Sequence, residues 1–252
     1  MALVMSAGGE TRTYRQLDEA SARLALVLRD RGLRPGDHLA VLLDNEPVFF
    51  EAVWAGLRAG LYVTPINWHL AAAEAGYIVA DCGATALVTS ARLGDVVDGL
   101  GDDLAAVTTR LVVGGELDGF EPYEDVVSGR ELDAVPEECE GSWMFYSSGT
   151  TGRPKGIVPP GIGGRLGAPS PFTTLLTGLF GFTDETVYLS PAPLYHAAPR
   201  RVDDDGAAAR RHRRGDGTLR PGRVPGPDRA PPRHPHAGRP HAPRPPAQAP
   251  RA

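Results

Sequence analysis

Cysteine is scarce in this chain of 252 residues, where only Cys82 and Cys139 occur. Two thiols so placed offer neither metal-ligand spacing nor a disulfide framework and fit a reducing compartment. Both read as inert packing residues. No run approaches 18 uninterrupted apolar residues, which argues against a transmembrane helix. The opening, MALVMSAGGETRTY, lacks a basic segment followed by a long apolar one, so it does not read as a signal peptide. The expected location is cytoplasmic.

A second scarcity begins after Pro199. Residues 200–252 contain no aromatic, Ile, Met, Lys or Glu, and their large aliphatics are limited to Val202, Leu219 and Val224. Such a stretch cannot bury enough apolar surface to offset about 1–2 kcal/mol of backbone entropy per ordered residue. It is expected to be disordered, with 11 prolines adding locally extended backbone. Its 13 Arg against 5 Asp give +8, whereas residues 1–199 carry −13, so the whole-chain value of −5 hides a sharp division. The arginines would attract phosphates, but without aromatics for stacking nothing specific to nucleic acid is expected. His234, His236 and His241 alternate with prolines and lack carboxylate neighbours, which disfavours a closed metal site. The Arg/Pro/Ala/Gly mixture is what an out-of-frame pass through a GC-rich coding sequence produces. The domains are therefore read as 1–199, a stretch of regular structure, and a 200–252 tail expected to be out-of-frame sequence.

What is present before that division is regular alternation. Thr13 and Gln16 have capping-box spacing, Leu17, Ala20, Leu24 and Leu28 follow at helical intervals, and Gly32 is a stop. HLAVLL reads as a buried strand. NEPVFFEAVWAGLRAG reads as a helix capped by Asn45, with Pro47 in its first turn and Gly60 closing it. LYVTPIN, TALVTS and TRLVVGG read as strands, LAAAEAGYIVADCG as a helix, and ARLGDVVDGL as a weaker one. Strands alternating with helices imply βαβ crossovers and a mainly parallel sheet, an α/β class. The acidic stretch from Gly114 to Gly141 reads as an exposed connection.

SWMFYSS then runs into SSGTTGRPKG, residues 147–156. Gly149 and Gly152 permit close backbone approach to a ligand, and successive N–H groups in such a loop form an anion nest. Ser147, Ser148, Thr150 and Thr151 add hydroxyl donors, Lys155 adds a charge that can reach a phosphate, and KGIV returns into a strand. The order is not that of a P-loop NTPase, because Pro154 stands sixth after Gly149 counted inclusively.

MFYSSGTTGRPK, residues 144–155, resembles the signature of the adenylate-forming (AMP-binding) superfamily, which includes acyl-CoA synthetases, luciferases and peptide-synthetase adenylation domains. RAGLYVTPIN and, downstream, VYLSPAPLYHAAP are similar to further segments of that family, and the likeness covers about residues 10–199. It implies the incomplete amino-terminal portion of the adenylate-forming fold, a parallel sheet with flanking helices. It also implies ATP, Mg²⁺ and coenzyme A, a carboxylic acid as substrate, and formation of an acyl-adenylate and then a thioester. On this resemblance Ser147, Ser148, Gly149, Thr150, Thr151 and Gly152 cradle phosphates, and Lys155 neutralises departing pyrophosphate. Thr150 or Thr151 lies near the Mg²⁺ shell, while Tyr195 and His196 lie beside the acyl pocket. PLYHAAP is most similar to acyl-CoA synthetase versions, so a fatty or similarly apolar acid is expected.

The family also uses an aromatic-Gly-x-Thr-Glu motif, a ribose-binding Asp, an Arg near the phosphates and a lysine on a mobile carboxy-terminal domain. Residues 197–252 contain no Glu, no Lys and no Thr-Glu pair. The chain alone is therefore expected to be inactive, and a sheet lacking later strands to expose a long edge and aggregate. The alternative is a non-catalytic nucleotide- or pyrophosphate-binding remnant, or a truncated product without function.

Overall fold

The computed structural model describes residues 2–5, 9–132, 138–147, 153–159, 162–167, 171–183, 185–190 and 193–196. The tail expected to be disordered lies outside them.

A short antiparallel pair, β1 (Leu3–Val4) and β2 (Thr11–Arg12), leads into α1 (Tyr14–Asp30). The capping box forms: Thr13 Oγ1 accepts from the Gln16 amide, and Gln16 Oε1 accepts from the Thr13 amide at 2.8 Å. Leu17, Leu24 and Leu28 are buried, as their spacing requires. Gly32, just past the helix, takes φ 97°, a conformation that favours glycine. The order continues β3 (His38–Leu42), α2 (Pro47–Arg58), β4 (Tyr62–Pro65), α3 (Ala72–Asp81) and β5 (Ala84–Ser90). The weak helical stretch after β5 becomes a 3₁₀ turn, Ala91–Leu93, and the five-residue α4, Gly94–Asp98. Then come β6 (Thr109–Val113), β7 (Glu121–Pro122), α5 (Tyr123–Ser128), β8 (Ser142–Trp143), β9 (Phe145–Ser147), β10 (Lys155–Ile157) and α6 (Pro171–Gly178).

Six strands form one sheet in the order β7-β6-β5-β3-β4-β8, parallel at every pairing. Both faces are covered, which explains why HLAVLL is an unbroken apolar run rather than an alternating one. Along β3, Leu39 and Val41 pack into the core beside α1, α2 and α5, while Ala40 and Leu42 join the core beside α3 and α4. Each fully buried large side chain of this kind contributes about 1.5–3 kcal/mol. The two edge strands are only two residues long, and one ends in Pro122. Among the described residues this is not the long edge expected from sequence, and short edges limit pairing with other chains.

The stretch from Gly114 to Gly141 is not simply an exposed connection. It contains β7 and α5, and Tyr123 and Val127, four apart on α5, are buried against the first core. The Tyr123 hydroxyl donates to Glu51 Oε2 at 2.9 Å, and Arg12 Nε donates to Glu51 Oε1 at 2.9 Å. Glu51 thus sits inside α2 with both oxygens partnered, the condition for tolerating a buried charge. Burial first, then the Glu51 charge, drives the Tyr123 phenol well above its ordinary range, so it remains a donor. Arg58, also buried in α2, is held by Asp18, Ser21 and Glu138.

Cys82 is buried under α3, and that burial pushes its thiol up to about 11. Native protein at pH 8 is expected to leave Cys82 unmodified by a thiol reagent that labels it fully in urea. Rapid native labelling at Cys82 would contradict the packing shown.

Candidate functional site

The carboxyl ends of all the parallel strands share one edge of the sheet, the place where open α/β sheets present their ligand-binding loops. β8 lies beside β4 there, and the Met144 amide donates to Val63 O at 3.0 Å. The chain then leaves the sheet as an antiparallel hairpin. Ser147 is registered opposite Lys155, Tyr146 opposite Gly156, and Phe145 opposite Ile157. The return of KGI into a strand agrees with the sequence reading.

This register places two of the expected phosphate-loop residues, Ser147 and Lys155, across from each other at the mouth, both exposed. Ser148, Gly149, Thr150, Thr151 and Gly152 lie outside the described residues, and with them both candidate Mg²⁺ contacts. Among the described residues, no group of three His, Cys, Asp or Glu side chains is placed to hold a metal ion.

The stems of the loop are tied to α3. Tyr146, on the way in, donates its hydroxyl to Asp81 Oδ2 at 2.6 Å. Tyr77 lies within 3.2 Å of Asp81 Oδ1 and 3.3 Å of the Pro154 carbonyl, on the way out. The Arg153 guanidinium lies over the Tyr77 ring, 5.0 Å from its centroid, a cation–π geometry. Desolvation first, then the hydrogen bond to Asp81, raises both phenols above their ordinary range, which keeps them protonated donors. An open groove of about 460 Å³ lies alongside, lined by Ala73, Tyr77, Ala80, Asp81, Asp103 and Arg153. Sequence reasoning missed Tyr77 and Asp81. Their i, i+4 spacing was a readable sign that they share a helix face, but nothing local connects that face to a loop more than sixty residues on.

The second candidate segment docks elsewhere on the same edge. Leu194 is buried in the first core, and its amide donates to Asn45 Oδ1 at 3.0 Å. Asn45 therefore does not cap α2: the capping position is Glu46, which makes no side-chain cap bond, with Pro47 supplying the first turn. Tyr195 is half-buried and His196 exposed, their ring centroids 4.5 Å apart, and the His196 amide closes a turn onto Pro193 O. Leu194 is the anchor, and the two expected acyl-pocket residues ride on it.

Asn45 is flanked by Asp44 and Glu46, both contacted by Arg92 from beyond β5, at 3.3 and 3.4 Å. Glu46 is buried, and among the described residues its Oε1 has no hydrogen-bond partner. Burial first, then the neighbouring Asp44 carboxylate, pushes the Glu46 carboxyl up to about 8, with Glu10 adding to the rise and Arg92 opposing it.

Fold and hairpin together define a doubly wound α/β domain with a Gly- and hydroxyl-rich loop at the carboxyl edge of its sheet. The model of the AMP-binding enzyme family matches residues 1–203, and the chain belongs to that family. It is 36% identical over 192 residues to a feruloyl-CoA synthase from an Amycolatopsis species, covering 76% of this chain and 36% of that protein. It is 30% identical over 152 residues to the long-chain-fatty-acid–CoA ligase FadD13 of Mycobacterium tuberculosis H37Rv, covering 58% of this chain and 29% of the ligase. Among solved structures it is similar to MbtA of Mycobacterium smegmatis, with a TM-score of 0.64, 27% identity, and coverage of 82% of this chain and 39% of MbtA. The chain thus spans roughly a third of the length of these relatives. Among the described residues no helix is long and apolar enough to cross a membrane.

Proposed function

We propose that this domain serves ATP-dependent activation of a carboxylic acid in the cytoplasm. A carboxylate oxygen bonds to the α-phosphorus of ATP as the bond to pyrophosphate breaks. The coenzyme A sulfur then bonds to the acyl carbon as AMP leaves. The observation carrying this reading is the hairpin register, which sets an exposed hydroxyl, Ser147, against an exposed ammonium, Lys155, at the mouth of the Ser148–Pro154 loop. Such an arrangement fits a polyphosphate, because work on transferring phosphoryl groups is mostly positioning and charge neutralisation. In this reading Ser147 to Gly152 hold the β- and γ-phosphates, and Lys155 balances the charge that develops on pyrophosphate. Mg²⁺, near Thr150 or Thr151, would supply further charge neutralisation.

The acid is proposed to be apolar, a fatty acid or one of similar character. The feruloyl-CoA synthase and the long-chain-fatty-acid–CoA ligase each name an acyl group with a large apolar part. Tyr195 and His196, set at the sheet edge by the Leu194–Asn45 bond, are proposed to face it.

The 252-residue chain by itself is proposed to bind nucleotide without turning it over, since residues 197–252 contain no Thr-Glu pair and no lysine. In this reading 1–199 is a partial domain and 200–252 contributes nothing to the site. Calorimetry with MgATP is expected to show binding that weakens about tenfold in Lys155→Ala, the scale of one charge-assisted hydrogen bond. Equal affinity in the two proteins would remove Lys155 from the phosphate site. Carboxylate-dependent ATP–pyrophosphate exchange above the Lys155→Ala background would show that the chain is an active enzyme after all.

A further inference from the structure

We propose that Tyr77, Asp81 and Tyr146 form a latch that sets the width of the phosphate-loop mouth, as positioning residues that do not themselves touch phosphate. The inference rests on the phosphate-loop reading above and extends it to residues on a different element. A loop of seven residues, 148–154, joins β9 to β10, and among the described residues β10 pairs with β9 alone, in a two-stranded ribbon separate from the six-stranded sheet. A two-stranded ribbon is marginal by itself in water. The ribbon is instead held at both stems by the last turn of one helix.

The Asp81 carboxylate is the hub. One of its oxygens accepts a hydrogen bond from the Tyr146 hydroxyl on the incoming strand at 2.6 Å, a short charge-assisted bond. Its other oxygen lies 3.2 Å from the Tyr77 hydroxyl. That hydroxyl has one proton and a second acceptor in reach, the Pro154 carbonyl at 3.3 Å on the outgoing side. The Tyr77 ring meanwhile carries the Arg153 guanidinium on its face. Residue 146 on the incoming strand and residues 153 and 154 at the outgoing end of the loop are therefore referred to two side chains four apart on α3. Each bond is at least partly exposed, so water competes for it and any one alone is weak. Acting on the same stems they limit the conformations of the loop before a polyphosphate arrives, which saves ordering entropy on binding.

The test combines amide hydrogen exchange of the peptide spanning 146–156 with calorimetry of magnesium pyrophosphate, on the full chain. Tyr77→Phe keeps the ring under Arg153 and removes the hydroxyl; Asp81→Asn removes the hub charge. Both are expected to speed exchange in that peptide and to weaken pyrophosphate about tenfold, the scale of one lost charge-assisted bond. The urea midpoint should stay unchanged, because these groups lie outside the core. The Tyr146→Phe/Asp81→Asn pair should be non-additive. Tyr62→Phe, whose ring stacks on His38 at the amino end of β4, should change neither readout. Faster exchange with unaltered pyrophosphate affinity would reduce the latch to a structural staple and overturn the positioning role. Unchanged exchange in both variants would overturn the latch itself. If the unsubstituted chain binds no pyrophosphate, the phosphate-loop reading falls and the positioning role falls with it, while exchange still decides whether the latch exists.

Discussion

Gly141→Ala is expected to lower the unfolding free energy by about 3 kcal/mol, at the upper end of what overpacking a well-filled site costs. A Cβ placed there would lie 2.5 Å from Leu61 O, 2.9 Å from Leu57 O and 3.0 Å from Leu57 Cα. All three are backbone atoms at the end of α2 and the start of β4, and none can swing aside as a side chain would. Gly141 also donates its amide to Leu57 O at 2.7 Å, and Ser142 donates to Leu61 O at 3.0 Å. Relief of the clash would pull β8 away from β4, and the β9–β10 hairpin begins one residue after β8. A urea titration should show a lower midpoint with an unchanged slope. Gly164→Ala, where the added methyl meets nothing within 4 Å, should stay within about 0.5 kcal/mol of the parent. Equal midpoints for Gly141→Ala and the parent would mean that the close approach of these backbones is not real.

Glu46→Gln should make the protein more stable at alkaline pH and leave it almost unchanged near pH 4. The Glu46 carboxyl is raised from 4.5 to about 8. The folded state therefore keeps a proton that the unfolded chain gives up, and between these values the folded state binds more protons. Stability from this group is complete below about 4.5 and is lost as pH rises through about 8. Glutamine keeps the neutral shape at every pH. The gain at pH 9 is expected to be on the order of 2 kcal/mol, after allowing for partial solvent screening. Losing the ion pair to Arg92 offsets little, because the Arg92 side chain is 66% exposed. Asn45, between the two carboxyl groups, holds Leu194, so charging Glu46 is also expected to loosen the segment carrying Tyr195 and His196. Parallel pH–stability curves for the two proteins would count against the raised carboxyl.

These cases show where local pattern sufficed. The Thr13–Gln16 capping box, the Leu17–Leu24–Leu28 stripe and the Pro47 helix start depend on neighbours within a turn or two, and all formed as read. The central strands were legible because both faces are covered and the apolar runs are unbroken. Asn45 was misread for the opposite reason. Its local options as a cap look ideal, but its actual partner lies 149 residues later. The region after Gly114 was misread because its acids outnumber its apolar residues. Tyr123 and Val127, four apart, were the available sign of a buried helical face. The tie of the loop stems to α3 was not legible, since Asp81 meets Tyr146 only after the crossover from α3 has been made. Of the candidate site, Ser147 and Lys155 are placed as a facing pair and Tyr195 and His196 as neighbours on a docked turn.

The strand order has a kinetic consequence. β3, β4, β5 and β6 pair with partners close in sequence, so a four-stranded nucleus can assemble through short crossovers. β8 must then return to β4, joining Ser142 to Tyr62 across eighty positions. Closing so long a loop carries an entropic cost before any contact rewards it, and contacts of high sequence separation form slowly. The hairpin bearing Ser147 and Lys155 follows β8 directly, so it is the late arrival. In stopped-flow refolding, ligand-binding competence should lag behind burial of the β3–β6 core, and a variant that delays β8 should lengthen that lag without slowing the first phase.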